Sequence, residues 1–211
     1  KKVMNKRIGV VALAVLMLLS VTACGGAKYS KGTLSDNGFE SEWVGVRFNA
    51  PEGYVVATQE ELDNFISMGQ DYVKAVYEEN GKKVIDYTEL TTVYELMTYL
   101  PTPENLGTGD PNLILAAEKT TLSTDKYIEV LQSQIKTLFP DVPITWDEPD
   151  NVKVGGLECD KYTATMDYGV AKMNQSYYIT KKGNRVIYFI VSYTPGHEED
   201  VDTLMNAFEP Y

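Results

Sequence analysis

The residues with the widest chemical range are few: two cysteines, Cys24 and Cys159, and one histidine, His197. A thiol acts as nucleophile or metal ligand as its thiolate, which forms beside a histidine or a cation. Cys159 lies in Leu157-Glu158-Cys159-Asp160-Lys161, between acids in a strand-like segment. Nothing in the spacing brings His197 to it. Cys159 therefore reads as a small half-buried hydrophobe, and His197 as a surface residue at a helix start. No G-x-S-x-G elbow, HExxH or CxxC occurs, and Gly107-Thr108-Gly109-Asp110 lacks the lysine and following helix of a phosphate loop. So few histidines and cysteines exclude most zinc and iron–sulfur sites. Two acidic clusters remain: Asp141, Asp147, Glu148 and Asp150, and Glu198, Glu199, Asp200 and Asp202. Neither has the residue order of a calcium loop. The second suits the first turn of a helix, where negative charge meets the helix dipole, and both read as solvated surface. No catalytic residue, metal ligand or cofactor is expected, and the chain is not expected to be an enzyme. Tyr54 and Tyr168, outside the clear apolar stripes, are the tyrosines that could make surface contacts.

Cys24 stands in a different setting. A basic segment, Lys1-Lys2-Val3-Met4-Asn5-Lys6-Arg7, precedes an apolar run from Ile8 to Val21. This is the pattern of a secretory signal peptide. The run is shorter than the roughly 20 apolar residues a permanent bilayer span needs. It ends in Val21-Thr22-Ala23-Cys24-Gly25-Gly26, which resembles a bacterial lipobox: an aliphatic residue, two small ones, then cysteine. The resemblance implies a diacylglyceryl group on the Cys24 thiol and cleavage between Ala23 and Cys24. Two acyl chains anchor stably where one is marginal. The expected location is the outer face of the bacterial cytoplasmic membrane, held there by lipid. Cys159 is then left without a disulfide partner.

The chain has 211 residues with 19 basic and 30 acidic side chains, a net charge of −11. Residues 1–23 hold four of the basic residues and no acid, so the remaining 188 residues carry −15. That balance argues against nucleic acid, whose phosphates need clustered Lys and Arg, and against electrostatic adhesion to anionic lipid. The length suits one domain burying roughly 70% of its unfolded surface.

The elements follow from periodicity. Residues 24–37 read as the lipidated cysteine and a flexible tether, with GGAKYSKG small and polar, and 38–211 as one globular domain. Val44, Val46 and Phe48 alternate as a strand. Thr58-Gln59-Glu60-Glu61 is a capping box opening a helix from Gln59 to about Glu79, stopped by Asn80-Gly81. Thr92 to Leu100 and Leu113 to Ala117 read as strands around a turn-rich stretch, 101–112. Ser123 caps a second helix with Tyr127, Ile128, Leu131, Ile135 and Leu138 on its apolar stripe. A meander follows: Ile144 to Trp146, Val152 to Val154, Leu157 to Met166, a strand through Tyr177, and Arg185 to Tyr193. The last of these is apolar on both faces and so needs a layer on each side. A final helix runs from about Gly196 to Phe208. The fold class is α+β, a three-layer α/β/α sandwich with a central, mainly antiparallel sheet of about seven strands.

Val46-Arg47-Phe48-Asn49-Ala50-Pro51-Glu52-Gly53 before a capped helix, Val154-Gly155-Gly156 before a strand, Gln175-Ser176-Tyr177-Tyr178-Ile179 before a turn, and a C-terminal helix together resemble the small lipoproteins of Gram-positive bacteria with a PsbP-like fold. The resemblance implies that sandwich and an accessory or binding role, and it transfers no site residue. The function expected is that of a noncatalytic, lipid-anchored surface domain binding another protein or envelope component. The alternative is a single-domain lipoprotein binding a small molecule or ion.

Overall fold

The computed structural model describes residues 28–79, 92–101 and 109–211. The leader, Ala23 and Cys24, the start of the tether, the Asn80-Gly81 helix stop and most of the 101–112 stretch lie outside the described residues. The chain runs β1 (Thr33–Ser35), β2 (Gly38–Ser41), β3 (Val46–Asn49), β4 (Val55–Val56), α1 (Gln59–Glu79), β5 (Thr92–Tyr99), β6 (Asn112–Lys119), α2 (Thr124–Leu138), β7 (Ile144–Trp146), β8 (Asp150–Val154), β9 (Leu157–Asp167), β10 (Lys172–Lys182), β11 (Arg185–Tyr193), α3 (Glu198–Asn206) and β12 (Phe208–Pro210).

The centre is β11, buried from Val186 to Tyr193. It lies between β6 and β10 in an eight-stranded antiparallel sheet of order β4-β5-β6-β11-β10-β9-β7, with β8 also pairing with β9. Its side chains alternate between two cores. Val186, Tyr188 and Ile190 point into the layer containing α1 and α2, through Leu62, Ile66, Leu131 and Ile135. Ile187, Phe189 and Val191 point into the opposite layer with Val46, Phe48, Val201 and Leu204. An all-apolar strand is therefore covered on both faces, as its composition requires, and the three-layer α+β sandwich is present.

Local signals place the helices. At the start of α1, Thr58 N–H donates to Glu61 Oε2 at 2.8 Å, and Glu61 N–H donates back to Thr58 Oγ1 at 3.3 Å, which completes the capping box. Ser123 caps α2 by accepting from Lys126 N–H at 3.3 Å, and all five residues of the expected stripe are buried. The turn from β8 to β9 uses Gly155 and Gly156 at φ +54° and +82°. There a side chain would be strained, and a Cβ on Gly155 would stand 2.8 Å from Val46 Cγ1.

The second outer layer departs from the sequence reading. It is a four-stranded sheet, β1-β2-β3-β12, packed beside the short helix α3. Its strands hold three or four residues each; the alternation marks β3, and β1, β2 and β12 are too short and irregular for a period of two to register. The last helix ends at Asn206, not Phe208. Phe208 continues the spacing of Leu204, yet it is a strand residue paired with Phe48, its ring 4.7 Å from Phe48 and 4.9 Å from Phe189. The tether also ends earlier than residue 37, because Thr33–Ser35 pairs with β2 and Tyr29 packs on the fold.

Candidate functional site

The residues singled out in the sequence do not converge. Cys159 is buried at 3% exposure among apolar side chains. Burial, with Asp160 and Glu158 adding to it, pushes its thiol up to about 12, so at neutral pH it is a protonated thiol. The His197 imidazole lies elsewhere: Nδ1 is 2.9 Å from Asp200 and 3.8 Å from Asp110. Glu198, Glu199 and Asp200 occupy the first turn of α3, where the dipole favours them. Among the described residues no group of three His, Cys, Asp or Glu side chains is placed to hold a metal ion. Tyr54 and Tyr168 are half-buried, both pushed up to about 12, first of all by burial. Tyr168 packs edge-on against Phe139 and belongs to the helix-side core. Neither tyrosine is an open contact residue.

The structure draws attention instead to two acids that the sequence reading passed over. Glu95 and Glu118 are fully buried on adjacent strands, β5 and β6. A buried carboxylate is costly unless hydrogen-bonded, and both are bonded. Glu118 Oε2 accepts from the Tyr127 hydroxyl at 2.7 Å, which ties α2 to the sheet beside Tyr188. Glu95 sits at the irregularity in β5–β6 pairing, between Tyr94 and Leu96. A bulge there aims its side chain at the start of the described chain. The Tyr29 hydroxyl donates to Glu95 Oε1, and Gly32 N–H donates to Oε2 at 2.9 Å. Burial raises the Glu95 carboxyl above its ordinary range, opposed by those hydrogen bonds and by the charges of Lys31 and Arg185. The Arg185 guanidinium lies over the Tyr29 ring at 4.1 Å, and that ring meets Trp43 edge-on at 5.0 Å. Lys182 Nζ stands 5.6 Å over the other aromatic, Trp43. The arrangement is a latch: it joins residues 29–32 to the central sheet through the Glu95 carboxyl and the Arg185–Tyr29 cation–π contact. An acid in the middle of Val93-Tyr94-Glu95-Leu96-Met97 is the sequence signal that marks it.

Beside the latch, a shallow cleft of about 270 Å³ lies between α1 and β5, its lining including Lys31, Gln59, Asp63, Ser67 and Thr92. Lys31 Nζ donates to Gln59 Oε1 at 2.6 Å, and Gln59 Nε2 donates to Asp63 Oδ1 at 2.7 Å. Lys31, Gln59 and Asp63 are thus tied to one another, whereas the buried Thr92 Oγ1 has no hydrogen-bond partner among the described residues.

No protein-family model matches the chain, and no curated protein matches it. Several solved structures are similar in layout. A chain from Bacteroides thetaiotaomicron VPI-5482 is 13% identical with a TM-score of 0.43, over 84% of this chain and 49% of that one. The chain thus spans about half the length of the Bacteroides protein. Cyanobacterial PsbP (CyanoP) from Synechocystis sp. PCC 6803 is 13% identical with a TM-score of 0.42, over 90% of this chain and 99% of that one. LpqN of Mycobacterium tuberculosis, involved in cell envelope biogenesis, is 11% identical with a TM-score of 0.33, over 56% and 72%. These likenesses carry no site residue across.

Proposed function

We propose that this is a lipid-anchored domain on the outer face of the bacterial cytoplasmic membrane, noncatalytic, presenting its surface to another protein or envelope component. The observation that carries the reading is the lipobox-like Val21-Thr22-Ala23-Cys24, separated from Lys28 by Gly25-Gly26-Ala27 alone. The fold is consistent with a surface role. Its two cores are filled from both sides of β11, and its one remaining thiol is buried and protonated. The intact mass of the protein extracted from bacterial membranes tests the anchor. A diacylglyceryl group on Cys24 is expected, with Cys24→Ser leaving an unlipidated precursor. An unmodified Cys24 in membrane-associated protein overturns it. Crosslinking in living cells tests the partner.

The cleft between α1 and β5 favours one second reading, a small polar ligand held by Lys31, Asp63 and Thr92. A thermal-shift screen of metabolites and ions with no stabilising hit would dispose of it.

A further inference from the structure

The floor of the cleft between α1 and β5 carries hydroxyls that the described residues leave unanswered. Thr92 opens β5 and is partly exposed at the cleft, yet its Oγ1 is buried and makes no hydrogen bond among the described residues. Behind it the hydroxyl of Tyr188, a fully buried residue at the centre of β11, also makes none. Thr92 and Tyr94 are the neighbours of that hydroxyl, and both line the cleft. Buried hydroxyls are nearly always paired, because the water they lose must be replaced. Two orphaned hydroxyls beside one cleft therefore favour a group that pairs with them.

The lining selects the chemistry of that group. Lys31 and Asp63, of opposite charge, are joined through Gln59, and the charge of Lys31 also acts on the Glu95 carboxyl. Among the described residues no other charged side chain lines the cleft. It therefore selects neither an anion nor a cation. Ser67 and Gln70 continue the row of Gln59 and Asp63 along one side of α1, each with a donor and an acceptor. Ile66, Val93 and Tyr94 add apolar surface. A hydroxyl both donates and accepts, where a carbonyl only accepts and an ammonium only donates. A ligand hydroxyl thus meets Thr92 whichever way the threonine proton points.

We propose that this cleft binds a neutral polyhydroxylated ring, a single sugar residue, with one hydroxyl on Thr92, others on Asp63, Ser67 and Gln70, and its C–H face on Tyr94. This deepens the small-ligand reading above and rests on it. Rotation about χ1 between staggered wells turns the Thr92 hydroxyl from the wall into the cleft. The size agrees: about 270 Å³ lies just under the roughly 300–1,000 Å³ of pockets for larger ligands. A single ring in so shallow a cleft binds weakly, on the order of millimolar.

The full chain, purified in a detergent without a sugar headgroup, is titrated with glucose, mannose and N-acetylglucosamine while saturation transfer to the sugar protons is read. Glucuronate and glucosamine serve as charged rings of the same size. Transfer is expected for at least one neutral sugar and should exceed that for either charged ring. Thr92→Val keeps the side-chain shape without the hydroxyl. It should weaken sugar binding about tenfold and leave the melting temperature equal or higher, because an unpaired buried hydroxyl has gone. Thr92→Ser should restore binding. Sugar affinity unchanged in Thr92→Val overturns the site, and transfer as strong for a charged ring overturns the neutral class. Transfer to no sugar overturns the proposal, and the metabolite and ion screen then separates the two readings. A hit lost in Thr92→Val leaves the small-ligand reading standing, and no hit disposes of both.

Discussion

Glu95 is a carboxyl that burial holds above its ordinary value of 4.5, against the hydrogen bonds from Tyr29 and Gly32. The folded protein then binds the proton more tightly than the unfolded chain does. Its contribution to stability is full below 4.5 and is lost as pH rises through the raised value. Glu95→Gln carries no proton, so urea titrations of that variant should show a flatter fall in stability from acid to neutral pH than the parent. An unchanged slope would assign the proton to another group. Cys159 gives the second prediction at this scale. With its thiol pushed up to about 12 and its side chain buried, an alkylating reagent at mildly alkaline pH should leave it unlabelled in the native protein and label it in denaturant. Native labelling at the rate of a free thiol would show that the second core opens.

At the scale of elements, the capping box makes a local wager that can be measured. Thr58→Ala removes the Oγ1 acceptor of Glu61 N–H and a donor to its carboxylate, and should lower the urea-unfolding free energy by about 1 kcal/mol. No change would mean that the first turn of α1 frays in the parent. Elements of this kind were legible because their signals are local. Thr58 with Glu61, the stripe from Tyr127 to Leu138, and the two apolar faces of Arg185 to Tyr193 each state a position and an orientation within one segment. The second sheet was not legible, since its short strands β1, β2 and β12 gain their meaning from one another across the length of the chain. Phe208 shows the difficulty: four residues after Leu204 it fits a helical stripe as well as the strand it occupies. The latch was illegible for a related reason. Tyr29 and Glu95 are 66 residues apart, and a small polar segment such as GGAKYSKG looks like tether until the carboxylate that holds it is known.

For the molecule as a whole, residues 28–35 belong to the domain. A chain beginning at Asp36 loses β1 and the Tyr29 and Gly32 donors to Glu95. It should be less stable by about 2 kcal/mol, the usual cost of a buried acceptor left unsatisfied. The Tyr29 ring also leaves Trp43, so the truncated chain should melt earlier and its tryptophan emission should shift to the red. Equal melting of the two chains would show that residues 28–35 add nothing. The same connection has a mechanical meaning. A force on the chain ahead of Lys28 meets first the Tyr29 and Gly32 contacts with Glu95 and then β1 at Thr33, the open end of its hairpin with β2. The pairs Thr33–Glu40, Leu34–Phe39 and Ser35–Gly38 then open in succession, as in a zipper, and no row of bonds is sheared at once. Residues 28–37, once peeled away, span up to about 35 Å when taut. The domain thus carries its own slack: once the contacts at Glu95 let go, a tug unreels that length.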